Sequence, residues 1–180
     1  DTQSRAFFKA AIPQYAVALK NHLRQESTRL ALDEAEHPEL LDIDLDKHVP
    51  NQLAGLLFKK ANSLFEADKI KGEQLIIINS ELQSFTEICG ACERIKNTPI
   101  PFSYSAFLKK FIFFYVMTLP WGYVFNLDYL VIPVVGFIFY VLASLELVAE
   151  EIEDPFGTDS NDLPMDKMCE NIQKHVGELL

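Results

Sequence analysis

Two long stretches without a charged residue dominate the C-terminal half of this chain. The first runs from Phe111 to Leu127 and the second from Tyr129 to Leu145, with the polar tip Asn126–Asp128 between them. A helix needs about 20 apolar residues to cross a bilayer. Each stretch reaches that length when it is extended, the first back to Phe102 and the second on to Ala149. The pattern predicts a transmembrane helical hairpin, with a buried hairpin of a soluble bundle as the alternative.

The extension sets two conditions on charged side chains. Lys109 and Lys110 must reach the membrane surface or face protein, because they lie inside the lengthened first helix. Glu146 must be shielded in the second. We therefore expect these charges to be paired or to lie near the open end of the hairpin.

Composition narrows the range of partners. The chain has 180 residues, of which 49% are hydrophobic, and its net charge is −10. A nucleic-acid partner is excluded because phosphate binding requires clustered Lys and Arg. Three cysteines cannot form a disulfide framework, so the polar regions are expected in a reducing compartment.

The remaining segments are predicted to be helical, which makes the chain an all-α protein. Apolar residues recur at helical spacing from Ser4 to Arg29, and an acidic loop follows from Asp33 to Asp46. A second helix, with Asn51 as its N-cap, is predicted to end near the glycine of Lys69–Gly72. Helices from Glu73 to Lys96 and from Met165 to Val176 complete the set.

Two irregular segments flank the hairpin. Thr98-Pro99-Ile100-Pro101 cannot continue a helix, because each proline lacks an amide donor and disfavours helix in the residue before it. We predict that this connector displays Ile100 from an extended turn, unless it is simply a packed link. After the hairpin, an acidic turn carries Asp154, Asp159, Asn161 and Asp162, whose oxygens suit calcium or a solvated, capped turn equally well.

Other reactive side chains give weaker signals. Cys89-Gly90-Ala91-Cys92 has the spacing of a redox pair, but it lies within a predicted helix. The four histidines, His22, His37, His48 and His175, are scattered along the chain and show no catalytic or metal-binding spacing. We expect them to have ordinary surface or core roles.

Several motifs together resemble the bestrophin family of ion channels, especially its prokaryotic branch. They are Cys92-Glu93-Arg94-Ile95, Thr98–Tyr104, Leu119-Pro120, Ala149–Asp159 and Asn161–Pro164, which occur in order across Asn79–Val176. The resemblance implies a membrane channel and no enzyme. It also implies a homopentamer whose helical hairpin packs on a cytosolic helical layer around a central pore.

The resemblance assigns roles to particular residues. Ile100, flanked by Pro99 and Pro101, would form a hydrophobic aperture in the cytosolic part of the pore. A calcium clasp would map to the carbonyls of Glu151 and Asp154 and to the side chains of Asp159 and Asp162, although Ser160 and Asn161 interrupt the acidic run of the family. Small ions would pass the pore passively, with chloride and other anions favoured. A cation channel and a non-conducting, membrane-tethered interaction module are the alternatives.

The resemblance also suggests an organisation for the whole chain. Residues 1–98 would form a cytosolic helical region, residues 99–150 the aperture turn and transmembrane hairpin, and residues 151–180 the acidic turn with a cytosolic C-terminal helix. The first membrane helices of the family have no counterpart in this sequence. We therefore expect the natural N-terminus to lie upstream of Asp1.

Overall fold

The structure is a computed structural model that describes residues 2–26 and 43–180. The helices are α1 (Thr2–Arg24), α2 (Val49–Glu66), α3 (Gly72–Asn97), α4 (Phe102–Leu127), α5 (Val131–Glu153) and α6 (Met165–Leu179), and one 3-10 turn (Asp128–Leu130) lies between α4 and α5. No strand occurs in these two ranges. The prediction of an all-α fold is confirmed. The helices form two compact units, one containing α1, α2, α3 and α6 and the other spanning Thr98–Asp162.

The first unit has a core made by small and large apolar side chains of its N-terminal helices. Tyr15 of α1 anchors this core to α3, because its hydroxyl donates a hydrogen bond of 2.5 Å to the carbonyl of Phe85 and the two rings meet edge to face. The buried core residues are Phe7, Ala11, Tyr15 and Ala18 of α1, Val49, Leu53, Ala54, Leu57 and Ala61 of α2, and Leu82 of α3. The helical spacing of the α1 set is the amphipathic pattern that the sequence predicts.

Charged side chains fasten α6 to α1 in the same unit. Asp166 forms ion pairs with Lys20 at 2.7 Å and with Arg24 at 2.8 Å. At the other end of α6, Lys9 Nζ donates a hydrogen bond of 3.0 Å to the carbonyl of Gly177. The C-terminal helix therefore belongs to the same compact unit as the N-terminal helix.

The predicted end of α1 at Arg29 is wrong, because the helix ends at Arg24. Gln25 adopts a positive φ of 58°, and the Glu26 amide donates to the carbonyl of Asn21 at 2.9 Å. This is the hydrogen bond of a Schellman ending, which stops an α-helix by turning one residue left-handed. Residues 27–42, which include His37 and most of the predicted acidic loop, lie outside the described residues.

The predicted N-cap and the predicted C-terminal end of α2 are also wrong. The helix begins at Val49 and its N-cap is His48, whose ring nitrogen accepts from the Asn51 amide at 3.2 Å. Pro50 fits in this first turn because no helical hydrogen bond is required of its nitrogen. The helix ends at Glu66 with Asp68 left-handed at a φ of 54°, well before the predicted glycine stop.

The second unit contains the predicted hairpin. Helix α4 runs unbroken through Pro120 for 26 residues, and α5 has 23 residues. At 1.5 Å per residue these helices are about 39 Å and about 35 Å long, which exceeds the ~30 Å hydrocarbon core of a bilayer. The chain reverses at Asp128, whose φ is 46°. The predicted tip is therefore confirmed.

Candidate functional site

The surface of the hairpin is apolar and open. The most apolar 18-residue window of Phe102–Glu153 has a mean hydropathy of 2.3, and only 6% of it is buried. Phe102, Phe125 and Tyr129 are 86%, 90% and 88% exposed. The core helix of a soluble bundle would have these rings covered, so the bundle alternative is not favoured. The hairpin has the length and composition of a membrane segment.

An ion-pair network lies at the open end of the hairpin. Lys109 Nζ of α4 is 3.2 Å from a carboxylate oxygen of Glu146 and 2.6 Å from one of Glu150, both on α5. The side chain of Glu146 is 19% exposed. Mutual neutralisation lowers the cost of placing these charges near lipid. The sequence-based conditions on Lys109 and Glu146 are therefore met by a contact between them.

The proline-framed connector is extended, as predicted. Residues 98–101 are not helical, and Pro101 has φ −54° and ψ 128° before α4 begins. The Pro101 carbonyl accepts from the Tyr104 amide at 2.8 Å, which anchors the connector to the first turn of α4. Ile100 is 40% exposed. Its role as an aperture stays a prediction.

The acidic turn after α5 is closed by its own hydrogen bonds. Asp162 Oδ2 accepts from the Asp159 amide at 2.8 Å, and a Glu151 carboxylate oxygen accepts from Asn161 Nδ2 at 2.9 Å. A Cβ on Gly157 would lie 2.5 Å from Asp162 Oδ2, so a larger residue there would displace the Asp162 carboxylate from its hydrogen bond to the Asp159 amide. The oxygens are of the type that calcium prefers, but two of the carboxylates are already engaged within the turn.

The predicted calcium clasp draws on the backbone carbonyls of Glu151 and Asp154 and on the side chains of Asp159 and Asp162. In the part of the chain that the structure describes, the only three metal-ligating side chains that lie close together are those of His22, His48 and Glu93. The calcium assignment stays a prediction.

A histidine–carboxylate cluster lies in the first unit, where none was expected. The Nε2 atoms of His22 and His48 are each 2.7 Å from Oε1 of Glu93. His22 lies in the last turn of α1, His48 caps α2, and Glu93 is one turn before the end of α3. Hydrogen bonds from His48 and His22 lower the pKa of Glu93. The cluster therefore joins three helices through one carboxylate oxygen.

The sequence contains no short-range signal for this cluster. His22 and His48 lie 26 positions apart in the sequence, and Glu93 lies 45 positions after His48. The expectation of surface or core roles for His22 and His48 did not include their shared hydrogen bond to Glu93. One usable hint is that both histidines lie at helix ends. His175 behaves as predicted, exposed on α6 and 3.9 Å from Glu178.

The cysteine pair has the wrong environment for redox chemistry. Cys89 and Cys92 are free thiols within α3. Burial raises the pKa of Cys89 to about 11 and also raises the pKa of Cys92. A raised pKa reduces the thiolate fraction on which thiol–disulfide exchange depends. The geometry gives no support to the redox hypothesis.

Comparison with known proteins identifies the family. The model of the Bacterial/Fungal Bestrophin protein family matches residues 1–178. A voltage-dependent anion channel-forming protein of Synechocystis sp. is 32% identical over 170 residues, which are 92% of this chain and 54% of that protein. One from Escherichia coli K12 is 40% identical over 98 residues, 54% of this chain and 32% of that protein. The chain thus spans about half the length of the curated relatives it matches.

Solved structures agree with the sequence relatives. A crystal structure of a bacterial bestrophin homologue from Klebsiella pneumoniae has a TM-score of 0.85 and 29% identity, covering 98% of this chain and 66% of that one. A second crystal structure, of a membrane protein, has a TM-score of 0.88 and 28% identity, covering 99% and 67%. The family is one of channels rather than enzymes. The chain belongs to the Bacterial/Fungal Bestrophin family.

Proposed function

We propose that the chain is part of a channel that conducts chloride and other small anions passively. The observation that carries the proposal is the family membership together with relatives that are anion channel-forming proteins. The apolar hairpin, long enough to cross a bilayer twice, supports it. Five copies would surround a central pore, as the resemblance of the sequence implies.

The hairpin would lie in the bilayer with its tip on the far side. Arg94, Lys96, Lys109 and Lys110 lie at the open side of the hairpin in the sequence, whereas the tip has only Asp128. Because Lys and Arg are retained on the cytoplasmic side, both chain segments outside the hairpin would be cytoplasmic. The Lys109–Glu150 ion pair would mark the cytoplasmic membrane surface.

Ile100 would be the constriction of the cytosolic pore. It is the residue between two prolines on a stiff, non-helical connector, and its side chain is partly exposed. Five isoleucine side chains meeting on a pore axis would form a ring that hydrated ions enter reluctantly, because narrow apolar pores expel water. Pro99 and Pro101 would hold the ring at one diameter by fixing the backbone on either side.

The test is electrophysiology on the purified protein, at its natural length, in lipid bilayers. Ile100→Ala is expected to raise single-channel conductance severalfold, because it widens and weakens the apolar ring. Ile95→Ala is the matched control, since it removes the same atoms from an exposed position on α3. Equal conductance of Ile100→Ala and the wild type would remove Ile100 as the constriction.

The same recordings decide which ion passes. In a gradient of sodium chloride, an anion channel reverses near the chloride equilibrium potential. A current that reverses near the sodium equilibrium potential would overturn the anion proposal in favour of a cation channel. The absence of any current from correctly assembled protein would favour a membrane-tethered interaction module instead.

A further inference from the structure

The cluster of His22, His48 and Glu93 brings three metal-ligating side-chain atoms close together. Two imidazole Nε2 atoms point at one carboxylate oxygen, and the three atoms lie within 4.8 Å of one another. The two rings are close, with centroids 4.3 Å apart. The three side chains are between 31% and 35% exposed, so the group is partly shielded and still reachable from solvent.

We propose that His22, His48 and Glu93 bind one divalent transition-metal ion, of which zinc is the best match. Two imidazole nitrogens and one carboxylate oxygen form a donor set that suits zinc and excludes calcium, which prefers oxygen ligands. This site is separate from the acidic turn, and it does not depend on the proposed ion conduction. Its role would be to hold the ends of α1, α2 and α3 together.

The distances fit a zinc ion after a small adjustment. Bond lengths of about 2.0–2.1 Å place the ligand atoms of a tetrahedral zinc about 3.3 Å apart. Each nitrogen is now 2.7 Å from the carboxylate oxygen, so the side chains must separate by about 0.6 Å at each contact. Rotation of the partly exposed side chains can supply this movement without a backbone change.

A fourth ligand has room beside the cluster. A cavity of about 360 Å³ opens next to it, with His22 and Glu93 in its lining together with Glu26, Lys47 and Lys96. A zinc site with three protein ligands is completed by water. The cavity can hold that water and gives the ion a path from solvent.

The tautomer of His48 makes the site weaker than a purely structural zinc site. In the metal-free protein Nδ1 of His48 accepts from the Asn51 amide, so Nε2 carries the proton. Zinc at Nε2 requires the proton to move to Nδ1, which ends this hydrogen bond. Water can replace it, because the contact is exposed. We therefore expect micromolar rather than nanomolar affinity, with release of protons on binding.

The test is zinc titration of purified, tag-free protein in detergent by isothermal calorimetry, with cobalt absorption as an independent readout. We expect one zinc per chain and a visible cobalt band of tetrahedral nitrogen and oxygen ligation. His22→Gln, His48→Asn and Glu93→Gln should each weaken binding at least tenfold. His48→Asn is the most informative variant, because asparagine is also a good N-cap and keeps the start of α2.

Controls separate this site from other ligands. His175→Ala removes an exposed histidine elsewhere in the unit and should leave zinc affinity unchanged. Asp162→Asn alters the acidic turn and should also have no effect. Excess calcium should not displace zinc.

Three results would overturn the proposal. They are failure of the wild type to bind one zinc per chain, unchanged binding in correctly folded His48→Asn and Glu93→Gln, and loss of binding in Asp162→Asn. Circular dichroism and the elution volume of each variant establish its folding. The wild type alone should also gain thermal stability when zinc is added, because the ion binds only the folded arrangement.

Discussion

Single residues decide where the helices of the first unit end, and they do so through backbone conformation rather than composition. Gln25 and Asp68 both have positive φ, a region that costs a residue with a Cβ roughly 1–2 kcal/mol. The sequence predicts a glycine stop for α2 because glycine avoids this cost. The actual stops use other residues, so neither end could be predicted from the sequence.

Replacing Gln25 by glycine should stabilise the protein. The Gln25→Gly change relieves the left-handed strain but adds unfolded-chain entropy, for a net gain of about 0.5–1 kcal/mol. Chemical denaturation, followed by the helical circular dichroism signal, measures this gain in the free energy of unfolding. Gln25→Ala is the control, because alanine keeps the Cβ and should give no gain. Equal stability of the two variants would mean that φ at this position is not strained.

At the scale of elements, periodicity predicts the helices well and their mutual contacts poorly. Helices α3, α4 and α6 lie within a few residues of their predicted ranges, because caps, prolines and apolar stripes act locally. The cluster of His22, His48 and Glu93 depends on three helix ends meeting, which no local pattern encodes. The ion pairs that join α6 to α1 were missed for the same reason.

The contact between α1 and α6 should make stability depend on acid pH. Hydrogen bonds from Lys20 and Arg24 lower the pKa of Asp166 to about 2. Its unfolded pKa is about 3.9, so its contribution is complete above that value and is lost as pH falls through about 2. Because Asp166 is 61% exposed, the contribution is expected to stay below about 1 kcal/mol.

The Asp166→Asn variant tests this linkage. The variant should be less stable than the wild type at pH 6, and the difference should shrink at pH 2.5, as measured by denaturant midpoints. Glu170→Gln changes an exposed carboxylate one turn along α6 and serves as the control. A difference between Asp166→Asn and the wild type that is the same at both pH values would show that charge pairing is not its cause.

At the scale of the whole molecule, exposed apolar side chains also lie outside the hairpin, which is the proposed membrane segment. The hairpin faces a bilayer in the proposed topology, but Ile76 and Ile77 belong to the first unit and are 72% and 64% exposed on α3. Adjacent exposed isoleucines on an element that the proposed topology places outside the membrane are typical of an interface between protein chains. This surface therefore favours an assembly, in line with the proposed ring of five copies.

Native mass spectrometry of the protein in detergent should give a pentamer at its natural length. Ile77→Asp should shift the distribution toward smaller species, because a carboxylate in an apolar interface would be desolvated without a partner. Asn62→Asp adds a charge at an exposed position of α2 and should leave the pentamer intact. A wild-type monomer or dimer would contradict the ring. If the Ile77→Asp variant is still a pentamer, the ring stands but its interface does not bury residue 77. An aspartate buried there without a partner would weaken the assembly.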